Sequence, residues 1–308
     1  MSYILLIVGF ICLIKGADYF VDGAASVAYR YHVSPTIVGL TIVALGTSLP
    51  ELSVSVTAAI QGSNELAVSN VTGSNLFNTL VVVGCSAMLA PFVVPKEVIK
   101  RDLPFNILCS SILLAFALLG RLYRWCGLVF LVLLVVYIWK LIKDVRDNHI
   151  QEMEEEEEKI LPLWKSIVFI LGGAVVIMLG GTITVDAAKV IAASLGMSET
   201  LIGLTVVSVG TSLPELVTSV VAARKGESGL SLGNAIGSNI MNILFILGLS
   251  SLLHPIGILP ENLLDICILL CVAVGVYLLV RFQPKMDRAK GLMMVLVYCC
   301  YLVWIIMR

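Results

Sequence analysis

Charged residues are scarce in this sequence, since Asp, Glu, Lys and Arg make up only 13% of its 308 residues. A soluble globular protein carries about a quarter charged residues, so the composition excludes an ordinary water-soluble domain. Hydrophobic residues make up 59% of the chain, and the mean hydropathy is +1.01. The formal net charge of −1 gives no basis for a nucleic-acid partner. The composition therefore predicts a protein of the lipid bilayer.

The usual signs of metal, redox and hydrolytic chemistry are also missing. The eight cysteines show neither disulfide nor metal-site spacing. The three histidines are scattered, and the sequence contains no HExxH motif. We therefore expect neither an intramembrane enzyme nor a resident cofactor. The apolar segment 1–14 lacks a basic leader and a cleavage site, which indicates a retained helix rather than a signal peptide.

Long apolar runs are abundant, and a membrane-spanning helix needs about 20 such residues. The sequence predicts an all-α membrane protein with about ten transmembrane helices. The first five are expected near 2–28, 36–61, 65–90, 103–120 and 125–146. The second five are expected near 163–193, 200–224, 229–253, 260–282 and 288–307.

An internal repeat organises these helices. Residues 36–91 align without a gap to residues 200–255, and about half of the positions are identical. Five helices per repeat is an odd number, so the second copy must enter the membrane in the opposite sense. The repeat therefore predicts two inverted five-helix halves, an architecture common among secondary transporters. The expected boundaries are 1–146 for the first half, 147–162 for an acidic linker and 163–308 for the second half.

The loops carry an uneven distribution of basic residues. Four Lys and Arg residues fall on the predicted side that holds both termini, and fifteen fall on the opposite side. Cytoplasmic loops are enriched in Lys and Arg. We therefore expect the linker, which contains Glu154–Glu158, in the cytoplasm and both termini outside. This places the chain in the plasma (inner) membrane as a multi-pass protein.

Each half contains the hexapeptide GTSLPE, ending at Glu51 in the first half and at Glu215 in the second. A carboxylate inside the hydrocarbon is costly by roughly 2.5–3.5 kcal/mol on insertion scales, so it indicates function. Pro50 and Pro214 cannot donate a backbone hydrogen bond, which leaves a main-chain carbonyl available in each hexapeptide.

The other hexapeptide side chains also carry oxygen. The neighbouring hydroxyls are expected close to the glutamate on one helical face. They belong to Thr47, Ser48, Thr211 and Ser212. Calcium binds six to eight oxygen ligands. Two facing hexapeptides therefore predict a calcium-type cation site.

An amide stripe follows each hexapeptide along the next helix. Asn70, Ser74 and Asn78 occupy positions i, i+4 and i+8, and the second half repeats the pattern. These groups either contribute ligands or hold neighbouring helices together. We expect ligands at 78 and 242, and the pattern leaves both roles open for 70 and 234. The repeated stripe consists of Asn234, Ser238 and Asn242.

The paired GTSLPE segments, followed by GSNLFN at 73–78 and GSNIMN at 237–242, resemble the alpha repeats of the sodium/calcium exchanger branch of the calcium/cation antiporters. The resemblance covers essentially the whole chain. It implies calcium and sodium as transported ions, exchanged by alternating access at the membrane midplane. The ligands that it implies are Ala44, Thr47, Ser48, Glu51, Ser74, Asn78, Ser208, Thr211, Ser212, Glu215 and Ser238, and the amide stripe adds Asn242.

Asn242 departs from the family pattern, because many of these exchangers carry aspartate at this position. Two carboxylates rather than three leave the stoichiometry and any potassium coupling open. A calcium/proton antiporter with the same two-glutamate site is the nearest alternative, although the hexapeptide favours sodium. An ion channel is a third possibility, but broken helices that meet at mid-membrane favour alternating occupancy. The oligomeric state does not follow from the sequence.

Overall fold

The computed structural model describes residues 2–61, 64–147, 160–197 and 208–307. The chain is mostly helical, as the sequence predicts, and the helices of the first half are labelled α1 to α6. A single bend of 51° divides the second predicted span of this half into α2 and α3. The bounds are α1 Ser2–Arg30, α2 Pro35–Thr47, α3 Leu49–Ile60, α4 Asn64–Phe77 with its continuation to Leu89, α5 Leu103–Ala117 and α6 Arg124–Asp147.

The second half repeats this order from α7 to α12, offset by about 164 residues. The span predicted at 200–224 is again divided, and its first part (200–207) lies outside the described residues. The bounds are α7 Leu163–Ser194, α8 Ser208–Thr211, α9 Leu213–Arg224, α10 Ser228–Met241 with its continuation to Leu253, α11 Pro260–Phe282 and α12 Arg288–Met307.

Seven of the described helices are long and apolar enough to cross a bilayer, or eight with the bent pair α2 and α3 counted as one span. The helix predicted at 103–120 is not among the seven: Leu103–Ala117 continues from a π-helical turn, Val98–Asp102, which carries the charged residues Lys100, Arg101 and Asp102. The count of ten transmembrane helices therefore remains a prediction. Most of the acidic linker, 148–159, also lies outside the described residues.

Large apolar side chains cover the outer faces of the long helices. Ile4, Val135, Leu171 and Val303 are all more than half exposed. Soluble proteins rarely expose contiguous apolar patches of more than a few hundred Å². These faces therefore contact lipid, and the chain is a multi-pass membrane protein.

The equivalent helices α1 and α7 pack against each other through glycines. A Cβ added at Gly16 would lie 3.1 Å from the Gly173 carbonyl oxygen, and one added at Gly180 would lie 2.9 Å from the Gly9 carbonyl oxygen. Residue numbers therefore increase along α1 in the direction in which they decrease along α7, so the two helices run antiparallel. Small residues permit this close approach of backbones inside a membrane.

Four two-residue strands join the ends of helices from different halves. The strand β1 (Phe92–Val93) pairs with β4 (Lys285–Met286), and β2 (Arg121–Leu122) pairs with β3 (Ile256–Gly257), both antiparallel. Positions 92 and 256 are equivalent in the repeat, as are 121 and 285. Each half therefore contributes one strand to each pair, and the two pairs are related by exchange of the halves.

Candidate functional site

The two hexapeptides form matching helix breaks. Ser48 has φ −84° and ψ 8°, and Ser212 has φ −92° and ψ 6°, so the chain leaves regular α-geometry at the same point in both halves. A new helix starts immediately afterwards with proline in its first turn, where the missing N–H costs nothing. Glu51 and Glu215 lie in the first turns of α3 and α9. Helix N-termini favour negative charge, which suits both carboxylates.

Each glutamate accepts a hydrogen bond from the serine of the other half. Ser48 Oγ donates to Glu215 Oε1 at 3.1 Å, and Ser212 Oγ donates to Glu51 Oε1 at 3.2 Å. This differs from the expectation that each serine lies beside its own glutamate. The expectation assumed an unbroken helix, whereas the break at Ser48 and Ser212 turns the hydroxyls toward the opposite half. Each glutamate is therefore held by a hydroxyl of the opposite half.

Neither glutamate has a counter-charge among the described residues. Both are completely buried, and no described Lys, Arg or His lies within ion-pair distance of either carboxylate. Another buried carboxylate, that of Asp102, shows the usual solution, because Arg101 Nε lies 2.8 Å from Asp102 Oδ1. Buried charges in proteins are normally paired or bind metal ions. The glutamate pair consequently has the electrostatics of a cation site.

Asn70 and Asn234 frame the site rather than face it. Asn70 Nδ2 donates to Ser55 Oγ at 2.9 Å, and Asn234 Nδ2 donates to Ser219 Oγ at 2.9 Å. Their oxygens also have partners, since Thr47 Oγ1 lies 3.0 Å from Asn234 Oδ1 and Thr211 Oγ1 lies 3.4 Å from Asn70 Oδ1. Both amides are thus used in joining helices, with each threonine again bonded to the other half.

Several candidate ligand oxygens have no hydrogen-bond partner among the described residues, although they are fully buried. In native proteins most buried polar atoms are hydrogen-bonded, so these atoms require an explanation. A bound cation would provide one, because each of them can donate a lone pair. They are Glu51 Oε2, Glu215 Oε2, Ser74 Oγ, Asn78 Oδ1 and Asn242 Oδ1.

The remaining candidates lie close to these groups. Ser238 Oγ is 3.5 Å from Thr47 Oγ1, and the Ala44 carbonyl accepts the Ser48 N–H at 3.1 Å and the Thr47 hydroxyl at 3.4 Å. Ser208 is the first residue of α8, and its side chain lies outside the described part of the structure. Asn78 and Asn242 each begin a π-helical turn, a feature frequent at functional sites.

Sequence reasoning missed four buried residues beside the site. Ser55 and Ser219 hold the framing amides, and Asn75 and Asn239 join α4 to the second half. Ser55 and Asn75 have identical counterparts 164 residues later, Ser219 and Asn239, and this repetition is the feature of the sequence that could have identified them. Asn75 and Asn239 fall outside the predicted amide stripe because the spacing i, i+4, i+8 selects one face of α4 and α10, and these two residues occupy the adjacent face.

A cavity of about 330 Å³ adjoins both hexapeptides. Pro50, Thr211 and Pro214 line one part of it, and Asp186 and Lys189 of α7 line another. The Asp186 side chain is 67% exposed, so the cavity extends from the hexapeptides to a carboxylate in contact with solvent.

Comparisons with known proteins agree with this architecture. The family model of the sodium/calcium exchanger protein matches residues 1–143 and 165–307. The chain is 41% identical over 261 residues to the antiporter candidate CaxA of Alkalimonas amylolytica, covering 83% of this chain and 82% of CaxA. It is 36% identical to the inner membrane protein YrbG of Escherichia coli, covering 98% and 95% of the two chains.

A solved structure also matches, that of the sodium-calcium exchanger NCX_Mj soaked with Na⁺ and Ca²⁺. The TM-score is 0.85 at 30% sequence identity, and the match covers 98% of this chain and 97% of that chain. The broken hexapeptide helices and the shared pair of buried glutamates are thus found in a chain that belongs to the sodium/calcium exchanger family, a family of cation antiporters.

Proposed function

We propose that this protein exchanges calcium for sodium across the membrane by alternating access at one site shared by its two halves. The observation that carries the proposal is the pair Glu51 and Glu215, which are completely buried and have no cationic partner among the described residues. Calcium and sodium are the cargo of this site, and the mechanism requires no resident cofactor.

The charge of the site favours a divalent cation or two monovalent cations. The two glutamates supply about −2, and the other candidate ligands are neutral. One Ca²⁺ or two Na⁺ would neutralise the pair, whereas a third Na⁺ would leave an uncompensated positive charge in a buried site. The proposed ligands are Glu51, Glu215, Thr47, Thr211, Ser48, Ser212, Ala44, Ser208, Ser74, Asn78, Ser238 and Asn242.

Two features support alternating access. The antiparallel packing of α1 and α7 and the exchange-related strand pairs fit two inverted five-helix halves, with the site at the midplane between them. The cavity that extends from Thr211 and Pro214 to the exposed Asp186 fits a path between the site and one side of the membrane. We therefore retain ten transmembrane helices in halves 1–146 and 163–308, joined by the linker 147–162.

The decisive experiment is ⁴⁵Ca²⁺ uptake into proteoliposomes containing the purified protein. A sodium gradient, a proton gradient and a potassium gradient are imposed one at a time, with the membrane potential clamped. We expect uptake to follow the outward sodium gradient and to need no potassium. Uptake that ignores sodium but follows a proton gradient would establish the calcium/proton alternative, and uptake that needs no counter-ion would indicate a channel.

The excess of basic residues supports a cytoplasmic linker and extracytoplasmic termini. The name of the relative YrbG, an inner membrane protein, supports the plasma membrane as the location. Single cysteines placed in the linker and at the C-terminus, in a background without the native cysteines, test this topology. An impermeant thiol reagent added to intact cells should label the C-terminal cysteine alone, and labelling of the linker would reverse the orientation.

A further inference from the structure

Asn75 is a completely buried residue of α4 whose side chain is bonded at both ends. Its Nδ2 donates to the main-chain carbonyl of Asn239 at 3.1 Å, and its Oδ1 accepts from Asn242 Nδ2 at 3.0 Å. The side chain therefore bridges α10 at two points, one in the main chain and one in the side chain of a proposed ligand.

These two bonds admit only one arrangement of donors and acceptors. A main-chain carbonyl can only accept, so the nitrogen of the Asn75 amide must face Asn239. The Asn75 oxygen then faces Asn242, which must present its own nitrogen to it. The oxygen of Asn242 is left without a partner among the described residues, buried and able to bind a cation. The orientation of the Asn242 amide thus follows from a main-chain group that cannot rotate.

We propose that Asn75 is a positioning residue that fixes the Asn242 amide with its oxygen, rather than its nitrogen, directed to the transported cation. This inference rests on the proposed function, because it requires Asn242 to be a ligand. It also accounts for an amide at this position. A carboxylate at 242 would place one of its oxygens against the Asn75 oxygen, where neither group can donate a hydrogen bond.

The equivalent position in the first half lacks this constraint. Asn239, the counterpart of Asn75, donates to the hydroxyl of Thr79 at 2.8 Å, and a hydroxyl can both donate and accept. Asn78, the counterpart of Asn242, has no partner among the described residues for either side-chain atom. The structure fixes the amide at 242 and leaves the amide at 78 free to turn, so the two amides are unequal as ligands.

The test is a double-mutant cycle in proteoliposomes, with the half-saturating calcium concentration and the maximal rate of sodium-driven uptake measured separately. Asn75→Leu removes both bonds with little change in volume. Losing a hydrogen bond of this kind corresponds to a roughly two- to tenfold effect, so we expect the half-saturating concentration to rise by about that factor. In the Asn242→Ala background, Asn75→Leu should add less than about twofold, because the group that it positions is absent.

Two further variants separate positioning from a general structural role. Asn239→Leu is the matched control. Any change that it causes in the half-saturating calcium concentration should be the same in the wild-type background and in the Asn242→Ala background. If Asn75→Leu does not fold, Asn75→Ser takes its place in the cycle, since serine is too short to bridge both partners. Thermal unfolding of each purified variant identifies such folding failures.

The outcomes distinguish this inference from the proposed function. An unchanged half-saturating concentration in Asn75→Leu, or the same increase in both backgrounds, would overturn the positioning role. An Asn242→Ala variant with normal calcium dependence would overturn it as well, because Asn242 would then not be a ligand. Failure of the wild-type protein to couple calcium to sodium would instead contradict the proposed function itself.

Discussion

The first and second halves of this protein make the same contacts around the buried glutamates, each with the other half as partner. Ser48 donates to Glu215 as Ser212 donates to Glu51, and the framing amides and threonines follow the same exchange. The halves differ elsewhere. The comparison shows that the two halves hold their glutamates by equivalent contacts, whereas the contacts of the amides at 78 and 242 and those outside the site differ between the halves.

One divergence outside the site involves two lysines. Lys225 Nζ lies 2.8 Å from Asp18 Oδ1 and 2.6 Å from Asp22 Oδ1, so it joins the end of α9 to α1. Among the described residues, Asp186, the counterpart of Asp22, has Lys189 of its own helix as its one ion-pair partner, at 3.4 Å. Burial lowers the pKa of Lys225, but the hydrogen bonds that Lys225 donates to Asp18 and Asp22 outweigh this, and the pKa is raised overall. The α1 contact therefore persists at physiological pH.

The comparison predicts its largest effect at the glutamates. Glu51→Gln and Glu215→Gln should each reduce calcium flux by more than about a hundredfold, since removing one member of a buried charge constellation costs roughly 3–5 kcal/mol. The loss should be equally severe in both variants. Initial rates of ⁴⁵Ca²⁺ uptake measure it, with the exposed Glu261→Gln as a control that transports normally. Near-normal flux in either glutamate variant would contradict a shared site.

A smaller and again symmetric effect is expected at the serines. Ser48→Ala and Ser212→Ala each remove a hydrogen bond to a carboxylate, for which about 1.5–3 kcal/mol is typical, or a roughly ten- to hundredfold weaker calcium affinity. The half-saturating calcium concentration should rise by similar factors, within about threefold of each other. A silent substitution at one serine beside a strong effect at the other would show that the halves are not equivalent here.

The smallest effect is expected at the lysines, and it should be asymmetric. Lys225→Gln removes a link between α9 and α1, whereas Lys189→Gln removes only a contact within α7. The groups around Lys225 are partly exposed, so the loss should be about 1 kcal/mol or less. Thermal unfolding in detergent should show a lower midpoint for Lys225→Gln than for Lys189→Gln. Identical unfolding midpoints for the two variants would contradict this predicted difference between the halves.

Much of this organisation can be predicted from the sequence, because the repeat and the composition report it directly. The constant offset of 164 places Glu51 and Glu215 at equivalent positions, and Pro50 and Pro214 each remove a backbone hydrogen-bond donor within a predicted helix. The family also follows from the paired hexapeptides. These features depend on residue identity and spacing, which the sequence contains in full.

The contacts between the halves could not be predicted in the same way. Helical periodicity places Ser48 near Glu51 only if the helix continues, and the direction of the chain after a break depends on tertiary packing. The role of Asn75 depends on which main-chain carbonyl lies opposite its amide, a relation between α4 and α10 that no spacing within one helix reveals.

Equilibrium calcium binding to the purified protein tests the central claim most directly. If Glu51 and Glu215 share one site, the wild-type chain should bind one Ca²⁺ in competition with sodium, as measured by titration calorimetry. Glu51→Gln and Glu215→Gln should each abolish that single site, although both variants keep the other glutamate. Two calcium ions bound per chain, or one glutamate variant that binds calcium as tightly as the wild-type protein, would contradict the account.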